Sequence, residues 1–192
     1  MPHRKEVFQR GGYYHVYNRG ADRGLLFFGP ENYEHCLRLI KRCQTRYGAA
    51  VIAYCLMPNH YHFLLRQDSK TPLSRFVNVV FNAYVQAVNR QEGRSGTLFE
   101  GRFRHVEIDR EADLIHLCRY IHLNPVKAGL VQKPEDWPYS NYRDWMGLRE
   151  GTLKDAAFIR EFVGSAQDYE ALVKDEMQDT RFRDELRRYA WD

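Results

Sequence analysis

The chain has 192 residues, 44% hydrophobic and 14% aromatic, with a formal net charge of +4 and four cysteines. That length and apolar content suit a single compact domain and exclude an intrinsically disordered chain, and no run nears the roughly 18 apolar residues of a membrane span. The charged start MPHRKEVFQRGG lacks an apolar signal core, and Cys36, Cys43, Cys55 and Cys118 show no CxxC spacing, so a cytoplasmic protein with reduced, packed thiols is expected.

In chain order, GYYHVYNRG (12–20) is aromatic and β-branched and closes on Asn-Arg-Gly, which reads as a strand and a turn. PENYEHCLRLIKRCQTRYG opens on Pro30 and stops at Gly48. Its Tyr33, Cys36, Leu37, Ile40 and Cys43 recur at helical spacing. AAVIAYCLM and HYHFLLRQ are two strands joined by Pro58-Asn59, a hairpin turn. The helix in TPLSRFVNVVFNAYVQAVNRQEG is expected to take Thr71 as N-cap, Pro72 as its first residue and Gly93 past its end. GRFRHVEID is a fourth strand, and READLIHLCRYIHLN a third helix that Pro125 is expected to end at Asn124.

The order β-α-β-β-α-β-α predicts an α+β fold, a ferredoxin-like or RRM-like antiparallel sheet with helices on one face and the other face free to carry a site. Residues 1–150 are expected to form the main domain, the one that would carry the site, and 151–192 a helical C-terminal extension.

Two features carry chemistry. In YCLMPNHYHFLL, His60 and His62 stand two apart on a strand, so both imidazoles project to one face while Tyr61 points to the other. Such a pair either packs as ordinary hydrogen-bonded residues or holds a metal. In the third helix, Leu114, Leu117, Cys118 and Ile121 form the stripe expected to face the core. Tyr120 and Asn124 lie off that stripe, one turn apart, with His116 a turn earlier. Asn124 can equally be read as a residue that simply ends a helix before a proline.

YCLMPNHYHFLL, followed about sixty residues later by RYIHLNPVKAGLV, resembles the HUH single-tyrosine transposases, in particular their REP-associated branch. YHVYNRG, FEGRFR and DWPYSNYRDW add to the resemblance, which covers residues 10–147. It implies that His60, His62 and Asn124 hold a divalent metal, Mg²⁺ or Mn²⁺, and that Tyr120 is the nucleophile. Attack on a DNA phosphodiester would leave a 5′-phosphotyrosine and a free 3′-OH. Because that ester retains the bond energy, another 3′-OH can rejoin the strand. The expected function is therefore a metal-dependent transposase that nicks and rejoins single-stranded, hairpin-containing DNA of the repetitive extragenic palindrome type, in a bacterial cytoplasm and nucleoid-associated when bound to DNA. The alternative is a non-catalytic or domesticated hairpin-binding protein. A monomer is expected, with a dimer exchanging the tyrosine helix as the other arrangement.

Arg102, Phe103 and Arg104 combine phosphate-pairing cations with a ring able to stack on a base, and Asn18 and Arg19 stand where they could clamp a hairpin foot. Each could instead be an ordinary solvated residue. Trp137, Tyr139, Tyr142 and Trp145 are expected to cover one end of the core, with stacking on bases as the alternative. Arg181, Arg183, Arg187 and Arg188 in the tail are open between contacting DNA, shielding the site and plain solvation.

Overall fold

The computed structural model describes residues 8–178, so the four tail arginines lie outside the described residues. Strands β1 (Tyr13–Arg19), β2 (Ala49–Met57), β3 (His60–Gln67) and β4 (Arg104–Ile108) form one antiparallel sheet in the order β2-β3-β1-β4. Helices α1 (Pro30–Tyr47) and α2 (Leu73–Gln91) connect them, which is the expected ferredoxin-like arrangement. Alternation on the strands divides the interior in two. Val16, Leu56, Tyr61, Phe63 and Leu65 meet α1 and α2 in one cluster, where the Tyr61 ring lies parallel to Phe81 at 4.1 Å.

The other face is only partly open. Helix α3 (Glu111–Lys127) crosses it and buries the expected stripe of Leu114, Leu117, Cys118 and Ile121 against Ile52, Cys55 and Leu64. Behind α3 come a four-residue turn of helix, α4 (Tyr142–Trp145), then α5 (Ala156–Phe162) and α6 (Ala166–Gln178). Phe158, Tyr169 and Val173 from these last two helices join the same cluster as Ile52 and Leu117. Arg66 of β3 pairs with Asp155 at 2.8 Å, and Arg119 of α3 with Glu176 at 3.0 Å, so contacts run across residue 150.

Three local details differ from the sequence expectation. Helix α2 begins at Leu73 with Pro72 as N-cap, and its first amide is capped by the buried Gln67 side chain of β3 (Leu73 N to Oε1, 3.0 Å) instead of by Thr71. A tertiary acceptor thus replaces the local one. Helix α3 continues a turn past Asn124, because a proline removes one N–H without preventing the following bonds. Ala128 N still reaches Asn124 O and Leu130 N reaches Pro125 O, both at 2.9 Å, and Gly129, at φ 69°, follows the end. Finally, β2 carries a bulge where Ile52 is the extra residue between Val51 and Ala53. Its carbonyl accepts from Asn141 Nδ2 (2.8 Å) and Trp145 Nε1 (3.2 Å).

The aromatic-rich stretch after α3 closes the core as expected. Tyr139 stacks on Tyr33 at 3.7 Å, Trp137 Nε1 donates to Leu56 O at 3.0 Å, and Tyr142 and Trp145 are buried in the second cluster.

Candidate functional site

Where α3 leaves the sheet uncovered, a cavity of about 380 Å³ is lined by His60, His62, Tyr120 and Asn124, together with Arg19, Arg23 and Asn59. Strand pleating puts both histidines on this face, and helical spacing brings Tyr120 and Asn124 over them from α3. The Tyr120 ring stands upright on its neighbours, 5.4 Å from the His62 ring at 84° and 6.3 Å from His15 at 83°. Lys127, one turn past Asn124, holds its ammonium 5.4 Å from the centre of the Tyr120 ring and 3.2 Å from Glu176 Oε1. His116 is held elsewhere, with Nδ1 2.6 Å from Arg119 Nη2.

The donor set suits a hard divalent cation. Burial lowers the pKa of both His60 and His62, the latter well below the ordinary imidazole value. Both rings are therefore neutral, the state a ligand requires. His60 Nδ1 lies 2.8 Å from Asn59 Oδ1, an oxygen that only accepts, so the ring's single N–H points there. His60 Nε2 then turns a lone pair toward Asn124 Oδ1, 3.3 Å away, while Asn124 Nδ2 faces the Tyr120 carbonyl at 3.5 Å. Two acceptors facing each other gain nothing directly, but neighbouring ligands of an octahedral cation with ~2.1 Å bonds sit about 3.0 Å apart. Among the described residues no three His, Cys, Asp or Glu side chains group as a metal site. The set is two imidazoles and a carboxamide, with room for phosphate and water in the cavity.

The residues expected to touch DNA are divided by the end of β1. Arg19 lines the cavity with the histidines and forms a two-pronged ion pair with Glu100, Nη2 to Oε1 being 2.8 Å. Arg104, opposite Tyr17 in the β1–β4 register, lies on the face that carries His62, since Tyr17 is also opposite His62. Asn18 points the other way. Its Nδ2 donates to Gly101 O at 3.1 Å, and with Arg102 and Phe103 it lines a separate groove of about 480 Å³ beside α2.

Three residues around the cavity escape a sequence reading. Arg23 reaches its rim through a turn in which Asp22 and Arg23 both take positive φ (52° and 57°), with Asn59 Nδ2 donating to the Arg23 carbonyl at 3.2 Å. Asn59, read only as a turn residue, also orients His60. His15, on β1, contacts His62 from behind, and nothing in its local sequence separates it from a packing residue.

Known proteins resemble this chain in sequence and in fold. A Haemophilus influenzae protein with the provisional name REP-associated tyrosine transposase is 29% identical over 112 residues, which span 53% of this chain and 64% of that protein. A solved structure described as a REP-associated tyrosine transposase bound to a REP hairpin superposes with a TM-score of 0.66 at 19% identity, covering 86% of this chain and 97% of that one. At that identity the likeness is one of fold. Residues 9–124, more than half of the chain and inclusive of His60, His62, Tyr120 and Asn124, match the family described as IS200-like transposases, and the chain belongs to that family.

Proposed function

We propose that the protein is a divalent-metal-dependent enzyme that cleaves and rejoins single-stranded, hairpin-containing DNA, with Tyr120 as nucleophile and His60, His62 and Asn124 holding Mg²⁺ or Mn²⁺. The observation that carries this reading is the convergence of those four side chains, from two separate elements, on one cavity. A bound divalent cation supplies charge neutralisation for the scissile phosphate. The chain's own residues do the rest. Tyr120 presents its phenol oxygen from a helix face fixed by the buried stripe behind it. A new P–O bond to Tyr120 forms as the P–O3′ bond breaks; the phenol gives up its proton to solvent, the leaving 3′ oxygen takes one from solvent, and the 5′ side stays on the tyrosine. Arg19 and Arg23 place two cations beside the histidines for flanking phosphates.

Unpaired bases have a place of their own in the groove behind β1. Phe103 offers a stacking ring there, Arg102 a cation, and Asn78 and Asn82 carboxamides able to meet base edges, while the buried Asn18 amide is engaged with Gly101 O and Arg19 N. REP-type hairpins are the favoured substrate, since the structural relative is bound to one. A passive RRM-like module, stacking bases on the open sheet, is disfavoured by α3: it covers the middle of the face where such bases would lie, with Tyr120 packed edge-on to His15 and His62.

The test is covalent capture. End-labelled hairpin DNA with unpaired arms is incubated with the protein and MnCl₂ and run on a denaturing gel. A protein–DNA band that disappears with chelator and in Tyr120→Phe is expected. Hairpin DNA that is bound but never captured would return Tyr120 to the status of a packing residue.

A further inference from the structure

His15 lies at the centre of β1, fully buried, on the same face as His62 and diagonal to it across the β1–β3 pairing. The two rings are nearly parallel, 16° apart with centres 5.2 Å from each other, and Tyr17 stacks on His15 at 4.6 Å. His15 Nε2 is 3.0 Å from His62 Nδ1. One proton occupies that bond, and which nitrogen owns it decides what His62 offers the cavity. If His15 were the donor, His62 Nδ1 would be the acceptor and the proton of neutral His62 would sit on Nε2, where an N–H cannot ligate. If His62 is the donor, Nε2 keeps its lone pair. His60 has made the corresponding choice, since Asn59 Oδ1 can only accept from Nδ1.

We propose that His15 is a positioning residue that accepts the Nδ1 proton of His62, locking that ring in the tautomer that presents Nε2 to the cation. Ligand histidines ordinarily pass their second N–H to a carboxylate, a carbonyl or water. Here both partners are neutral, an amide oxygen for His60 and an imidazole nitrogen for His62. A neutral acceptor draws less on the N–H than a carboxylate does and leaves the ligand less basic, so the bound cation keeps more of its charge for the phosphate. The inference rests on the cation site proposed above.

The experiment uses the full chain, labelled with ¹⁵N-histidine and metal-free. Long-range ¹H–¹⁵N spectra are expected to show His62 protonated at Nδ1, and an Nε2–H pattern overturns the proposal. MnCl₂ titration then separates roles. His15→Leu is expected to weaken Mn²⁺ binding about 10- to 100-fold, and His15→Gln, whose amide oxygen can accept at a similar reach, to recover most of that loss. Equal losses in both variants would assign His15 to packing alone, and unchanged binding in His15→Leu would also sink the idea. Should His15→Leu fail to fold, the wild-type tautomer decides. His60→Ala is the control: unchanged Mn²⁺ affinity there would mean that the cation site itself is wrong, a failure distinguishable from that of the His15 role.

Discussion

At the scale of single residues, the site depends on which atom each carboxamide presents. Asn59 and Asn124 hold His60 between two oxygens, and only the second is available as a ligand. Asn124→Ala should therefore weaken Mn²⁺ binding by about tenfold or more while hairpin binding, measured by fluorescence anisotropy without metal, stays near wild type. An unchanged Mn²⁺ titration would remove Asn124 from the site. Spacing of two on a strand and four on a helix was enough to pair His60 with His62 and Tyr120 with Asn124, and the four line one cavity, but the roles of ligand and nucleophile came from the family resemblance alone. Arg23, Asn59 and His15 were not legible as parts of the site. Arg23 arrives through a rare backbone conformation, Asn59 acts by a side-chain bond hidden within a turn, and His15 meets His62 across 47 residues of sequence.

At the scale of elements, the joints matter more than the helices and strands themselves. Asn141 is fully buried between β2, α3 and the segment that leads into α5. Its Oδ1 accepts from Tyr54 N (2.8 Å) and His122 Nε2 (2.9 Å), and its Nδ2 donates to Ile52 O (2.8 Å) and Leu153 O (3.1 Å). Asn141→Ala strands several of these partners away from water and is expected to cost about 3 kcal/mol, read as a shifted denaturant midpoint. His122, whose other nitrogen meets the Tyr169 hydroxyl at 2.7 Å, is pushed down by burial to a pKa of about 4. The unfolded chain takes up that proton near pH 6.5 while the native state refuses it, so stability is full above pH 6.5 and falls toward pH 4. Between pH 7 and 5 the metal-free protein should lose about 2 kcal/mol through this group, and His122→Gln should flatten that part of the pH–stability curve. The elements were largely readable from punctuation such as Pro30, Gly48 and the Pro58-Asn59 turn. The Gln67 cap on α2, the Ile52 bulge and the turn of α3 beyond Pro125 were not: the cap comes from a strand side chain six residues back, the bulge carbonyl is held by residues some ninety positions away, and the last turn uses bonds a proline does not remove.

For the molecule as a whole, the second core is the decisive feature. The β-α-β-β-α-β order and its sheet topology follow from pattern, and the C-terminal third reads as helical, but nothing local announces that Phe158, Tyr169 and Val173 pack on the back of α3. These three buried side chains, at about 1.5–3 kcal/mol each, represent roughly 5 kcal/mol or more, against a total stability of about 5–15 kcal/mol for an ordinary domain. A chain ending at residue 150 should accordingly lose its cooperative thermal transition or melt far lower than the full chain. A truncated chain with the full-length melting temperature would show that α5 and α6 merely decorate the fold.

The closed flank of β2 has a further consequence. Leu56 N donates to Tyr139 O at 2.9 Å, and Cys55 bridges to Ser140, so this border of the sheet is already occupied by the chain's own backbone. An unpaired strand border is the usual template on which other chains assemble into aggregates. That route is left to β4, five residues long and carrying exposed Arg104 and Glu107, where charge and brevity oppose the growth of an intermolecular sheet.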